Sequence, residues 1–219
     1  CLTMGFDSYV NYTVFLGSVR FWDVIIYNHL REKKIVIPQK KEQKKVEQFE
    51  GAYVKDPQVG MHKWVMSFDL NSLYPHLIMQ YNISPETLLP SKKQDGLVNK
   101  ILDGKVKNTT KHCMTPNGAF FRKDKRGFLP ELMENMYYDR VKYKKLMLEN
   151  QQLFEDTKDK ALLKTIARYN NIQMAKKISL NSAYGAIGNN WFRYFDLLVA
   201  TAITSSGQLS IRWIEKSLN

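Results

Sequence analysis

The interpretation of the fold rests on the stretch Ser67-Phe68-Asp69-Leu70-Asn71-Ser72-Leu73-Tyr74-Pro75. The alternation of large apolar and smaller residues from Trp64 to Phe68 predicts a β-strand with one buried face. The residues from Pro75 onwards favour a helix, because proline is tolerated in the first helical turn. Asp69 is therefore predicted to lie where a strand ends and the chain turns into a helix.

A carboxylate at such a turn can serve chemistry or structure. Carboxylate oxygens are ligands that Mg²⁺ prefers, and the free backbone N–H groups of a helix start can meet a phosphate. A metal–nucleotide complex would use both features. The simpler alternative is that Asp69 caps the helix, which is the more common role for a lone aspartate.

The charge balance of the chain indicates a polyanionic partner. The 219 residues include 33 Lys and Arg against 21 Asp and Glu, a net charge of +12, with an ordinary 44% hydrophobic content. No apolar run reaches membrane-spanning length and no signal peptide is visible, so nucleic acid is favoured over a membrane surface. Cys1 and Cys113 are too few for a disulfide framework. Because the chain begins with Cys1 and ends within a helical pattern, we expect it to be part of a longer polypeptide.

Three local patterns predict the remaining elements. Residues 21–30 favour a helix with an apolar stripe at Trp22, Ile25, Ile26 and Leu30, and the basic run at 31–45 is typical of an exposed connector. Asn117-Gly118 predicts a tight hairpin. A helix from Pro130 and a second one over about 161–184, joined by a polar stretch at about 149–160, predict an antiparallel helical hairpin. Its inner surface is expected to hold Leu132, Met136, Tyr143 and Met147.

Both helices of this hairpin carry cations at helical spacing. Arg140 and Lys144 share a face of the first helix, and a face of the second carries Lys177, Asn181 and Tyr184. Cations from two helices can clamp a triphosphate, with Arg giving a forked contact and Lys a point charge. Asn181 and Tyr184 can meet a base pair, and Gly185 allows close approach or ends the helix. For Arg140 and Lys144 alone, solvent-exposed charges are the simpler interpretation.

The order of three motifs carries a family resemblance. The first motif is Asp69 followed by the Ser-Leu-Tyr-Pro run at 72–75. The second is R-x-x-x-K, which begins at Arg140, and the third is K-x-x-x-N-S-x-Y-G, which begins at Lys177. This order resembles the family B DNA polymerases. The runs at 22–28 and 189–197 are similar to the replicative polymerases of T-even-type phages, so the resemblance covers nearly the whole chain.

The resemblance implies an α+β fold, a partial polymerase palm (an antiparallel sheet with helices) with an inserted antiparallel helical fingers hairpin. It implies a segment linking an exonuclease or N-terminal region to the palm at 1–45 and the first part of the palm at 46–126. The fingers are expected at 127–188. The second part of the palm is expected at 189–219, which stops before the second catalytic aspartate motif.

The resemblance also assigns roles to individual residues. Asp69 is implied to be catalytic and a metal ligand, with the Leu70 carbonyl beside it. Tyr74 is implied to pack under the sugar and exclude a 2′-hydroxyl. The triphosphate is expected to contact Ser72, Leu73, Arg140, Lys144 and Lys177. The nascent base pair and the DNA are expected to meet Asn181, Tyr184 and Gly185.

The implied activity is DNA-directed DNA synthesis in replication, the addition of deoxynucleoside triphosphates to a primer 3′-hydroxyl with two Mg²⁺ ions. The implied partners are primer–template DNA, the nucleotides, the remainder of the polymerase chain or a further subunit, and a sliding clamp in the full protein. The implied location is the cytoplasm of an infected bacterial host, with no membrane involvement.

The sequence also departs from the family pattern. No Tyr-Gly-Asp-Thr-Asp-Ser motif and no exonuclease carboxylate motif is present, and the stretch between Lys144 and Lys177 is shorter than T-even-type members lead us to expect. The chain alone is therefore expected to be inactive. Two other classes remain open, a noncatalytic basic nucleic-acid-binding module and an RNA polymerase or reverse transcriptase. Asp69 argues against the first, and the bulk of Tyr74 argues against the second.

Overall fold

The computed structural model describes residues 17–40 and 51–218. Within these ranges the fold is predominantly helical, with one small antiparallel sheet and a 3₁₀ turn at Pro85–Thr87, which agrees with the α+β class. The elements in chain order are α1 (Ser18–Glu32), α2 (Leu73–Tyr81), α3 (Leu97–Leu102), β1 (Cys113–Met114), β2 (Phe120–Phe121), α4 (Phe128–Thr157), α5 (Ala161–Ile187) and α6 (Leu197–Leu218).

The predicted helical hairpin is confirmed by α4 and α5. Only residues 158–160 connect the two helices, because α4 continues to Thr157 and not to about residue 149. The rings of Tyr143 and Tyr169 lie 6.1 Å apart across the hairpin, and Lys176 pairs with Asp139 at 3.2 Å. Leu132 of the predicted stripe is buried, and its other three members are half-buried.

Helix α1 supports the base of the hairpin. Its apolar stripe is buried as predicted, apart from a half-buried Ile25. The Trp22 indole N–H donates to the Ser182 hydroxyl at 3.0 Å, which ties α1 to the last turns of α5. Asp23 pairs with Arg193 at 2.9 Å, in the segment after α5. The connector at 33–40 is largely exposed, and residues 41–45 of the predicted basic run, like residues 1–16, lie outside the described ranges.

The Asn117-Gly118 hairpin is also confirmed. Gly118 has a φ of 85°, and a Cβ there would approach the Lys92 carbonyl oxygen to 3.0 Å, so the turn requires glycine. The buried Asn117 amide donates to the Leu198 carbonyl at 2.9 Å and to the Thr201 hydroxyl at 2.8 Å. These bonds fix the hairpin between β1 and β2 on the start of α6.

The predicted strand at 64–68 is wrong. Residues 51–72 contain neither helix nor strand, and the side chain of Trp64 is 98% exposed while that of Phe68 is 66% exposed. A strand needs a hydrogen-bonding neighbour and a covered face. No other described segment pairs with this one, and the paired strands β1 and β2 are the whole of the sheet in the described ranges. The extended palm sheet that the resemblance implies is therefore not formed by these residues.

The predicted helix after Asp69 is confirmed. Helix α2 begins at Leu73 with Pro75 in its first turn, and Leu77 and Ile78 are buried. Asn82 ends the helix in the left-handed conformation, and its side chain bonds the Arg122 and Lys125 carbonyls and the Gly127 N–H. This buried amide joins the end of α2 to the start of α4. No helix in the described part of the chain is long and apolar enough to cross a membrane.

Candidate active site

The start of helix α2 presents unsatisfied donors beside Asp69. Ser72 precedes the helix with φ 55° and ψ 44°, and its side chain makes no capping hydrogen bond. The Ser72 carbonyl accepts from both the His76 N–H at 3.1 Å and His76 Nδ1 at 2.9 Å. The first-turn N–H groups of Leu73 and Tyr74 have no partner within the helix, as helix geometry requires. This end of α2 can therefore accept an anion, helped by the helix dipole.

Asp69 does not cap the helix. Its side chain is exposed and has no hydrogen-bond or ion-pair partner among residues 17–40 and 51–218. The capping alternative is therefore wrong for this structure. A free carboxylate at this position is available to a cation.

Arg140 of α4 reaches the same place. Its side chain is only 8% exposed, and its Nη1 donates to the Ser72 hydroxyl at 2.9 Å. The buried Nε has no hydrogen-bond partner in the described part of the chain. Burying a charge with so few partners is costly unless a counter-charge is supplied. The solvent-exposed interpretation is wrong for Arg140, whose position suits an anionic ligand at the start of α2.

Tyr74 and Tyr184 meet at this site. Their ring centroids lie 4.8 Å apart with an interplanar angle of 44°, although 110 positions separate them in the chain. Burial raises the pKa of both phenols, and the neighbouring Tyr74 raises the pKa of Tyr184 further, so both are neutral near pH 7. The pair offers a flat, uncharged surface next to the charged groups.

The other predicted site residues stay at the surface. Lys144, Lys177, Asn181 and Gly185 are exposed along the hairpin, and neither ammonium group has an ion-pair partner within the described ranges. Lys144 lies about one turn beyond Arg140 on α4. The structure thus brings Ser72 to Arg140 and Tyr74 to Tyr184, and leaves the two lysines unpaired and open to solvent.

Oxygen ligands for a metal are few. The Asp69 carboxylate and the Leu70 carbonyl are donors of the kind Mg²⁺ prefers. No group of three or more His, Cys, Asp or Glu side chains able to hold a metal is present among the described residues. Asp196 accepts the N–H groups of Leu198 and Val199 at 2.8 and 3.2 Å at the start of α6, and Glu215 pairs with Lys55. Asp196 therefore caps the start of α6.

Two residues of the site escaped the sequence interpretation. His76 holds the Ser72 carbonyl and stacks edge-on against Tyr137 of α4, with ring centroids 4.6 Å apart. The sequence signal for His76 is its position four residues after Ser72, because residues four apart lie on the same face of a helix. Gly207 lies buried in α6 against the Tyr74 ring. An isolated glycine inside a helical pattern often has a packing reason.

The family follows from comparison with known proteins. Residues 13–219 match the model of DNA polymerase family B. The chain therefore belongs to DNA polymerase family B.

Individual relatives agree with this assignment. The chain is 33% identical over 259 aligned residues to the DNA-directed DNA polymerase of Escherichia phage RB69, and 31% identical over 260 to that of Enterobacteria phage T4. Each alignment covers 100% of the chain and 29% of the relative, so the chain spans less than a third of these polymerases. The family B DNA polymerase of Pyrobaculum calidifontis shares the fold, with a TM-score of 0.63 and 21% identity over 92% of this chain and 24% of that one.

Proposed function

We propose that this chain is the part of a template-directed DNA polymerase that binds the incoming deoxynucleoside triphosphate opposite the template. The observation that carries the proposal is the convergence on the start of α2. There Arg140 meets Ser72, and Tyr184 meets Tyr74, a few residues from a free Asp69 carboxylate. The reaction is attack of a primer 3′-hydroxyl on the α-phosphorus, with pyrophosphate as the leaving group.

The arrangement of elements supports assigning residues 127–188 to the fingers. The hairpin of α4 and α5 is held at its base by α1, through Trp22 and Ser182, and by α2. Residues 46–126 and 189–219 are then the two parts of the palm that flank it, and residues 1–45 link it to a preceding domain. A hairpin anchored at its base suits an element that carries cations over a bound nucleotide.

The triphosphate would lie between the start of α2 and the hairpin. The N–H groups near Ser72 and Leu73 supply donors, and the Arg140 guanidinium, which donates from Nη1 to Ser72, supplies a nearly buried charge. Lys144 and Lys177 add exposed point charges from the two helices. Positioning and charge stabilisation account for most of phosphoryl-transfer catalysis, which suits this set.

The tyrosine pair would form the floor of the nucleotide pocket. The Tyr74 ring under the sugar would exclude a 2′-hydroxyl by its bulk, and Tyr184 with Asn181 would lie near the nascent base pair. The small Gly185 would allow the DNA to approach. The neutral state of both phenols avoids repulsion between an ionised oxygen and the phosphates.

Asp69 and the Leu70 carbonyl would hold Mg²⁺. In two-metal nucleotidyl transfer the bound ions lower the pKa of the attacking hydroxyl and neutralise charge on the leaving pyrophosphate. The described residues hold no preformed group of three or more His, Cys, Asp or Glu side chains, so the proposal assigns the second carboxylate to the remainder of the polymerase. We therefore expect residues 1–219 alone to bind primer–template DNA without extending it, and the complete polymerase to extend it.

The similarity to phage polymerases supports the remaining parts of the proposal. The enzyme would act in DNA replication in the cytoplasm of an infected bacterium. Its partners would be primer–template DNA, the deoxynucleotides, the remainder of the polymerase and a sliding clamp.

Lys177→Ala in the complete polymerase tests the proposal. Loss of a charge-assisted phosphate contact, worth about 1.5–3 kcal/mol, lowers kcat/KM for nucleotides about 10- to 150-fold. Lys145→Ala is the matched control, because Lys145 is an exposed lysine of the same hairpin that pairs with Glu149. A noncatalytic DNA-binding module predicts the opposite result, weaker primer–template binding in Lys177→Ala at constant salt with nucleotide use unaffected.

A further inference from the structure

We propose that Gly207 is a positioning residue for sugar selection, because the backbone of α6 at Gly207 fixes where the Tyr74 ring can lie. The inference rests on the proposed role of Tyr74 under the sugar. It adds α6, which contributes none of the predicted site residues, to the elements that define the nucleotide pocket.

The Tyr74 ring lies directly against the α6 backbone. A Cβ atom at residue 207 would lie 2.9 Å from Tyr74 Cε1 and 3.7 Å from its Cδ1. Carbon atoms in contact normally lie about 3.5–4.0 Å apart. An added methyl group would therefore displace the ring or the helix.

The ring cannot retreat freely on its other sides. Tyr184 lies against it with the ring centroids 4.8 Å apart, and the next residue, Pro75, is buried and restricts the backbone. Tyr74 itself is only half-buried. A side chain at residue 207 would push the ring away from α6 and so change its position relative to the sugar that the proposed function places over it.

In the described ranges, Gly185 and Gly207 are the two glycines inside helices, and the close approach occurs at Gly207. Gly185, within the long helix α5, has no atom within 4 Å of the place where its Cβ would lie. Gly207 is buried in the interior of the 22-residue helix α6, a position where glycine is unfavourable unless packing requires it. The contact with Tyr74 is such a requirement.

A double-mutant cycle in the complete polymerase tests the inference. Gly207→Ala is expected to lower kcat/KM for deoxynucleotides by about tenfold, since a misplacement of less than 1 Å at a reacting centre has effects of this size. In the Tyr74→Ala background the same change is expected to have no effect, because the ring it would displace is gone. In the Tyr74→Phe background, which keeps the ring, the loss is expected to persist. Equal losses in all three backgrounds, or no loss in any, would overturn the inference.

Thermal unfolding supplies a second readout that does not depend on activity. Gly207→Ala should raise Tm in the Tyr74→Ala background, where alanine replaces a helix-disfavouring glycine without a clash, and should not raise it when Tyr74 is present. If Gly207→Ala fails to fold alone, recovery by Tyr74→Ala supports the contact and continued failure overturns it. An unchanged deoxy-to-ribonucleotide ratio in Tyr74→Ala alone would instead refute the proposed role of Tyr74, whatever the Tm cycle shows.

Discussion

Replacing Arg140 with methionine tests whether its buried charge serves nucleotide use or the stability of the fold. Among residues 17–40 and 51–218, the nearly buried guanidinium makes one hydrogen bond, to the neutral Ser72 hydroxyl, and its Nε has no partner. Methionine keeps much of the apolar stem and removes the charge. We expect this variant to lose activity without losing stability.

The magnitudes follow from these contacts. Loss of the bond from the charged guanidinium to Ser72 costs about 1.5–3 kcal/mol, whereas removing a poorly compensated buried charge returns a desolvation penalty of several kcal/mol. The Tm of Arg140→Met is therefore expected to equal or exceed that of the parent. Loss of a charge-assisted contact to the triphosphate, about 1.5–3 kcal/mol, lowers kcat/KM for nucleotides about 10- to 150-fold.

The assay is steady-state primer extension at varied nucleotide concentration, with thermal unfolding and primer–template affinity measured on the same preparations. Arg122→Met is the control, since Arg122 is an exposed arginine that pairs with Asp124, two residues away. A fall in Tm together with unchanged nucleotide kinetics would refute the reasoning and make Arg140 a structural residue.

Three further predictions test the fold and the charge. Asn82→Ala should destabilise the protein by about 3 kcal/mol or more, because it leaves two carbonyls and one N–H unsatisfied. The control Asn171→Ala, at an exposed position of α5, should not destabilise it by more than about 0.5 kcal/mol, and equal unfolding midpoints in denaturant would contradict the prediction. Burial raises the pKa of Tyr194 from 10.0 to about 12, so the neutral phenol stabilises the fold below pH 10 and this contribution is lost as the pH rises toward 12. Tyr194→Phe should reduce the fall of Tm with rising pH in this range, and an unaltered slope of Tm against pH would argue against the prediction. Binding of residues 1–219 to primer–template DNA should weaken at least about tenfold between about 50 and 200 mM salt, and a flat salt dependence would count against an electrostatic interface.

Local patterns predicted the helices and the tight turn. The hairpin of α4 and α5 and the start of α2 follow from spacing within a single segment, and Gly118 follows from the need for a positive φ. The strand expected at 64–68 cannot be predicted from a single segment in this way. Its alternation describes a chain able to pair, but pairing depends on a neighbouring strand that the described residues do not supply.

The site was predictable as a set of residue types, not as a set of contacts. Their spacing predicted that Arg140 and Lys144 share one face of a helix. The spacing could not show that α2 covers Arg140 and leaves Lys144 exposed. The contact of Gly207 with Tyr74 joins positions far apart in the chain, and a lone glycine in a helical pattern gives no partner. Long-range packing supplied what local sequence could not.

Asp69→Asn in the complete polymerase tests whether the start of α2 is the catalytic centre. Asp56→Asn is the matched control, an exposed aspartate in the same segment without helix or strand. Asp69→Asn is expected to lower nucleotide incorporation at least about 100-fold, because a metal-binding charge acts on the transition state, while primer–template affinity is retained. Incorporation by Asp69→Asn within a few-fold of the parent and of Asp56→Asn would contradict it.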